Sequence, residues 1–417
     1  MKRSLLEAAK TLLIIVLIVT MVLLFAAAIP VDVVRSTPWL STVLQPFGSL
    51  LGLPAAELAY VSEAQSVQTA AQPLTISIRN DSGRYTAQWD STALDTTYDT
   101  LGGMLGQALD TAETFSETQS EQLAKALMEP NVCFDYGFSL PISLVASWLD
   151  TEPHTPETNA SLFILALEQD QVWLYLSAEV PLRAQTQLDA GEFSTLLSQF
   201  QPDGSVFAFE IGSHLADMSI LPGSVPRLMG ADTVSLYSTR YVDALANNLG
   251  FNPYDTGRYT DSSGVTHFSE PGGSLQISAD GEILFTATTA RITAPGSKPE
   301  TLVETARSLL NLAVDASGSS ARLYLSGFSQ TENQTTCTFD YVLRGVPVRW
   351  TGKPAAKVVF TGQTVTELRL KAVTFTFNDT IQRLLPPKQA AAILPENGRL
   401  QLQYHVADSQ VTAGWTK

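Results

Sequence analysis

The sequence predicts an α+β protein, with one N-terminal transmembrane helix leading into an extracytoplasmic, multi-domain region of antiparallel sheets with packed helices. Three observations predict it. Residues 11–29, TLLIIVLIVTMVLLFAAAI, form a run of 19 residues without a charge. At about 1.5 Å per residue, such a helix reaches across the hydrocarbon core of a bilayer. Beyond the run, short segments alternate apolar with polar residues and are separated by turns rich in Gly, Asn and Asp, the pattern of antiparallel strands with one buried face. Segments of helical period are interleaved with them.

Lys2, Arg3 and Lys10 precede the run against Glu7 alone, and Pro30 and Asp32 follow it. Positive charge belongs on the inner side, so residues 1–10 read as a cytoplasmic tail, 11–30 as the span and the remainder as exterior. Ala26 and Ala28 also form an A-x-A-like site, as at the end of a cleaved signal peptide. The length of the run and the Ile29-Pro30 pair favour an uncleaved anchor. No Cys directly follows the run, which argues against a lipoprotein anchor, and later apolar runs such as 162–167 have only strand length.

Composition narrows the function classes. The chain has 25 basic and 41 acidic residues. Beyond residue 30 there are 22 basic against 40 acidic, a net charge of −18 that repels phosphates and disfavours nucleic acid as a partner. Apolar residues make up 45% of the chain, enough for substantial cores, and 417 residues suggest two or three domains. Two cysteines do not make a disulfide framework in an exported chain of this size. Cys133 and Cys337 could pair across domains, but their apolar, strand-like surroundings favour buried free thiols.

The elements follow in order. Residues 31–72 are rich in Ser, Thr, Ala, Pro and Gly and read as a stalk, with a short helix around 40–53 and Trp39 near the headgroups. A first α+β domain spans 73–231. It opens with Leu74, Ile76 and Ile78 alternating with polar residues, turns at Asn80-Asp81-Ser82-Gly83 and returns over 84–89. Helices are predicted at 97–109 and, from the capping-box spacing of Ser116 to Gln119, up to Pro130. A strand at 132–138, a short helix at 144–149, a hairpin of 161–167 with 172–176, a helix at 189–200 and a strand at 206–210 complete the domain. A second domain, 232–294, pairs a helix at 239–249, stopped by Gly250, with strands at 258–260, 265–269, 274–278 and 282–288. The third, 295–417, repeats the scheme. Its helix starts at Lys298-Pro299-Glu300 and runs to 314, and strands follow at 322–325, 336–343, 356–361 and 365–377. Helical turns at 381–385 and 388–394 and strands at 400–405 and 411–415 close the chain. A helix followed by a meander, used twice, suggests a weak internal duplication.

Catalytic signatures are missing from the sequence. There is no G-x-S-x-G elbow, S-x-x-K set, H-E-x-x-H or P-loop. The four histidines, His154, His214, His267 and His405, are scattered, without a His or Cys at metal-ligand spacing. Cysteine catalysis at Cys133 or Cys337 needs a His nearby in space, and neither lies at a Gly-rich turn or helix start. Glu168 with Asp170, and Asp255 with Asp261, are the carboxylate pairs that could do acid/base work across a cleft. Among 41 acidic residues, pairs at turns read better as solvated surface. Asn80, Asn159, Asn333 and Asn378 match the N-glycosylation pattern, which matters only in a host that glycosylates. No catalytic, cofactor-binding or metal residue is assigned.

One internal echo stands out. Cys133-Phe134-Asp135-Tyr136 leads to Pro141, and Cys337-Thr338-Phe339-Asp340-Tyr341 leads to Pro347. It reads either as a repeated binding edge or as two core strands of like composition, and the second is preferred. Gly345 and Pro347 bend the later strand into a hairpin.

Together, the basic tail and single span, the Pro73–Ile78 and Gly83-Arg84-Tyr85 segments, Phe134 to Pro141 with the helix ending in Trp148-Leu149, Phe339 to Pro347, Leu384-Leu385-Pro386 with Gln389-Ala390, and the closing strand at Trp415 resemble the YycH/YycI group. These are membrane-anchored accessory proteins of the WalK-type sensor histidine kinase in Gram-positive bacteria. The resemblance is spread over most of the exterior and rests on element order and short patterns. It implies a non-enzymatic regulator without catalytic residues or cofactors. Its partners would be the membrane, a sensor histidine kinase governing cell-wall homeostasis and a paralogous accessory protein, reached through the transmembrane helix and the exterior domains. Ala26-Ala27-Ala28 offers a small-residue face of the kind through which helices pack in lipid. The alternative is an exported wall-associated binding protein or hydrolase. Facing carboxylates in a cleft would mark the hydrolase, and a long uncharged strand edge in the last unit would mark the binding protein.

Overall fold

A computed structural model describes residues 72–416, apart from 113, 152–156, 217, 255–256, 315–320 and 408. The described residues form an α+β fold with mostly antiparallel sheets and seven α-helices. None of these helices is long and apolar enough to cross a membrane. The tail, the predicted span and the stalk lie outside the described residues.

The first sheet is built from β1 (Thr75–Asn80), β2 (Gly83–Gln88), β3 (Ser116–Glu117), β4 (Asn131–Pro141), β5 (Asn159–Glu168), β6 (Gln171–Leu176) and β7 (Leu182–Gln185), in the order β2-β1-β4-β5-β6-β7-β3. Its helices are α1 (Ser91–Thr111), α2 (Ser120–Ala126), α3 (Ile142–Trp148) and α4 (Ala190–Leu197). One face of the sheet carries Ile76, Ile78, Val132, Phe134, Phe163 and Leu165 into the main core, together with Leu101, Leu105 and Leu109 of α1. The other face is covered by Leu123 and Leu127 and by the segment 203–223, which holds the short pair β8 (Val206–Phe207) and β9 (Ile220–Leu221). On that second face, register lines up polar side chains across three strands. Arg84, Arg79 and Asn131 form one row, Thr86, Ser77 and Cys133 the next, and Gln88, Thr75 and Asp135 the third.

The second sheet has thirteen strands: β10 (Met229–Ser235), β11 (Arg258–Thr260), β12 (Thr266–Glu270), β13 (Gly273–Ile277), β14 (Glu282–Ala287), β15 (Ala321–Gln330), β16 (Gln334–Leu343), β17 (Val346–Trp350), β18 (Ala356–Thr361), β19 (Thr364–Lys371), β20 (Val373–Ile381), β21 (Gln401–Ala407) and β22 (Gln410–Thr416). Its helices are α5 (Thr239–Asn248), α6 (Pro299–Val314) and α7 (Pro387–Ala392). All the pairings are antiparallel except β17 with β21. The strands read from sequence as belonging to the second and third units therefore lie side by side. The two helix–meander units meet at their last strands, β14 against β19, which leaves β11 and β15 as the two far edges.

Several local expectations need correction. The helix expected at 97–109 begins at Ser91, because the Asp90 carboxylate accepts hydrogen bonds from Thr92 N and Ala93 N. Ser116 does not open a capping box. Ser116 and Glu117 pair with Arg183 and Leu182, which pushes the start of α2 to Ser120. The strand expected at 206–210 stops after two residues, where Glu210 reaches back to Phe207 N (3.0 Å) and the chain turns into a 3-10 helix. Val346–Trp350 is a strand that sequence reading missed, joined to β16 by Arg344 and Gly345, both at positive φ, as a tight hairpin turn requires. The strand expected at 365–377 divides at Ala372. Its N–H donates to Gly281 O and its C=O accepts from Leu236 N, so β14 and β10 lie along one edge of the continuous β19–β20 segment. The turns expected to be helical at 381–385 are not. Ile381 still pairs with Met229, and Pro386 and Pro387 follow.

Candidate functional site at the junction of the two sheets

Where the two sheets meet, a narrow cleft of about 50 Å³ is lined from the first sheet by Leu74, Thr75, Gln88, Trp89 and Asp135, and from the second by Gly345, Pro347 and Arg399. Met218, Ser219 and Ile220 of the 203–223 segment form a third wall. Small-molecule sites usually run to about 300 Å³ or more, so this cleft takes waters or one small polar group.

Its charged floor is a single pair. Asp135 Oδ2 accepts from Arg399 Nη2 at 2.7 Å, and Asp135 Oδ1 accepts from Gly137 N at 2.8 Å. The carboxylate side chain is 14% exposed and the guanidinium 36%. Trp89 closes one end, packed edge-on against Trp415 with ring centroids 5.4 Å apart. Gly345 permits the close approach, since a Cβ there would fall 2.6 Å from Asp90 N.

The third wall is tied to both sheets. On the first sheet, Glu210 lies between Arg84 (2.7 Å) and Arg79 (3.0 Å). Arg84 is buried, with its guanidinium 4.3 Å over the Phe207 ring, and burial lowers its pKa against the opposing pull of Glu210. On the second sheet, Ala216 N donates to Gly398 O and Asn397 N to His214 O. Beneath the cleft, Tyr98, Tyr136 and Tyr324 cluster. Burial pushes all three phenols above their ordinary range, so none is available as a base near neutral pH.

The residues weighed from sequence scatter across this fold. His214 Nε2 meets Leu394 O at 3.2 Å, His267 stacks on Tyr259 and meets Asp261, and His405 is exposed on β21. His154 and Asp255 lie outside the described residues. Glu168 accepts from Tyr175 Oη and sits with Asp170 at the β5–β6 turn, where Gln169 and Asp170 both have positive φ. Asp261 is held at a turn by Ser263, His267 and Val265, which keep its carboxyl well below the usual range. Cys133 and Cys337 are free and buried; burial raises both thiols, with Asp135 adding to the effect at Cys133 and Cys337 reaching about 12. Among the described residues, no three His, Cys, Asp or Glu side chains gather as metal ligands. Among the described residues, none of these candidates lines the cleft.

The pair that does occupy the cleft was half visible. Asp135 belongs to the repeated Asp-Tyr pattern, whereas Arg399, 264 residues later, follows an unremarked Asn397-Gly398 turn. Chemically, the arrangement joins two units and offers hydrogen-bonding groups to a small guest. Among the described residues it does not set a nucleophile beside a base. Comparison with protein-family models, curated proteins and solved structures finds no match to the chain.

Proposed function

We propose that this protein is a single-pass membrane protein with a cytoplasmic N-terminus, whose extracytoplasmic region regulates a sensor histidine kinase by protein–protein contact rather than by catalysis. On this reading, residues 11–29 form the transmembrane helix, and the resemblance to the YycH/YycI group supplies the kinase class and its link to cell-wall homeostasis. The observation that carries the reading is the uncharged 19-residue run behind a basic tail, joined to an acidic exterior. Two features of the structure support it: the junction cleft is small, and its one charged pair is satisfied internally. Whether the protein restrains or stimulates the kinase depends on which kinase state it binds better.

A membrane pull-down tests the proposal, using the tagged full-length chain beside a version whose residues 11–29 are replaced by an unrelated span. Recovery of a sensor kinase with the native span alone supports regulation through the transmembrane helix. Recovery with both versions moves the contact to the exterior domains. If neither recovers a kinase, the proposal fails, and the wall-associated alternative is taken up by polymer-binding and hydrolase assays.

A further inference from the structure

The turn at 395–398 gathers the bonds that hold the 203–223 segment to the second sheet. Asn397 N donates to His214 O (2.8 Å), and Gly398 O accepts from Ala216 N (3.1 Å) and from Ser219 Oγ (3.4 Å). The next residue is Arg399, whose guanidinium makes the ion pair with Asp135 of the first sheet. All these contacts depend on where the backbone of Asn397 and Gly398 lies.

Local geometry selects the residues of this turn. Gly398 N–H donates back to Pro395 O (3.0 Å), and Asn397 sits inside the turn with a φ of +61°. Asparagine is one of the few residues besides glycine that adopt this left-handed conformation readily. A Cβ on residue 398 would fall 3.0 Å from Pro395 O, so glycine fits best there. The fold thus sets Asn directly before Gly, and this is the only Asn-Gly pair in the sequence. The same pair is chemically labile, because glycine has no Cβ to shield its nitrogen from the neighbouring amide. Pro395, Glu396 and Asn397 are all exposed, and among the described residues no hydrogen bond ties down the Asn397 side-chain amide.

We infer that Asn397 is a site of spontaneous covalent modification, where loss of its amide releases the 203–223 segment from the second sheet. Local opening of the exposed turn frees Gly398 N from Pro395 O. Solvent base takes the proton of that nitrogen, which attacks Asn397 Cγ. A cyclic succinimide forms as the new N–Cγ bond is made and the Cγ–Nδ2 bond breaks. The leaving nitrogen takes a proton from solvent and departs as ammonia. Water then opens the ring at either carbonyl. Opening at Cγ leaves an aspartate, and opening at the main-chain carbonyl leaves isoaspartate, in which the chain runs through the side-chain methylene. The added backbone carbon displaces Gly398 O from Ala216 N and Ser219 Oγ, and Arg399 from Asp135.

The test uses the full-length chain in detergent, incubated for days at mildly alkaline pH and body temperature. Peptide mapping, with enzymatic methylation of isoaspartate as the probe, is expected to find isoaspartate at residue 397. Ion exchange separates modified from unmodified chains by the carboxylate gained, and limited proteolysis compares the two fractions. The modified fraction is expected to be cut within 203–223 severalfold faster. Asn397→Gly keeps the left-handed turn but lacks the amide, and is expected to show neither change after the same incubation. An Asn397 that stays intact under conditions that convert the urea-unfolded chain overturns the proposal, as does equal cutting of the two fractions. Because the fractions come from the wild type, the result stands even if Asn397→Gly does not fold.

Discussion

The two Asp-Tyr strands show one local design put to two uses. In β4 and in β16 the tyrosine is buried in the core, Tyr136 against Phe163 and Tyr341 against Trp350 and Phe375. In both, one aspartate oxygen accepts from a backbone N–H and the other from an arginine: Gly137 and Arg399 for Asp135, Ala355 and Arg349 for Asp340. The arginines differ in origin. Arg349 lies nine residues from its aspartate, on the neighbouring strand, whereas Arg399 is 264 residues away and belongs to the other unit. The same strand chemistry thus closes a core in one place and a junction between units in the other, and the two differ in the origin of the arginine and in the burial of the aspartate. Asp340 has 4% of its side chain exposed, against 14% for Asp135.

The largest expected effect breaks the buried member. Arg349→Met leaves the 4%-exposed Asp340 carboxylate with Ala355 N as its remaining partner. Because the Arg349 side chain is itself 38% exposed, solvent screening brings the loss below that of a fully buried pair, to about 2–3 kcal/mol. A urea titration of the variant should show a midpoint well below that of the wild type. A shift as small as that of a surface mutant would mean that Asp340 is solvated or protonated. Tyr341→Phe comes next. It removes the hydrogen bond from Tyr341 Oη to Lys371 O (2.9 Å) while keeping the ring, for an expected loss of about 1 kcal/mol by the same titration.

Arg399→Met tests the exposed member. Its guanidinium is about as exposed as that of Arg349, 36% against 38%, but Asp135 is the less buried aspartate, so the expected loss is smaller, about 1 kcal/mol or less. Its more specific consequence is a looser junction. Limited proteolysis should cut the 203–223 segment sooner in this variant than in Arg349→Met at matched stability. Equal cutting would show that the Asp135–Arg399 pair does not hold the units together.

Much of the fold was legible because its signals are local. Alternation marked β1, β5 and β6, Gly250 marked the end of α5, and Asn- and Gly-containing turns marked the β11–β14 meander. The failures share a cause, which is capture of a local pattern by a distant group. Ser116 had capping spacing but was taken by β7, the 206–210 strand was folded back by Glu210 between Arg79 and Arg84, and Pro347 concealed β17. The junction cleft was harder still. The repeat singled out Asp135 as part of a strand, but nothing near Arg399 announces an ion partner, and a contact spanning 264 residues leaves no trace in either local sequence.

The smallest effect uses the thiols that precede the two aspartates. Cys133 and Cys337 are both free and buried, and burial holds Cys337 up at about 12. A raised thiol pKa favours the folded state below the unfolded value of about 8.5, and that contribution fades as pH rises through the interval up to 12. The native protein at pH 8 should therefore react with neither thiol reagent equivalent until denaturant exposes both. The comparison sharpens in Arg399→Met. Cys133 lies one row from Asp135 on the junction face of β4, so a loosened junction should raise its labelling rate severalfold while Cys337, on β16 in the main core, stays protected. Equal protection of the two thiols in that variant would place Cys133 in a core as closed as that of its counterpart, and would remove the distinction between the two strands.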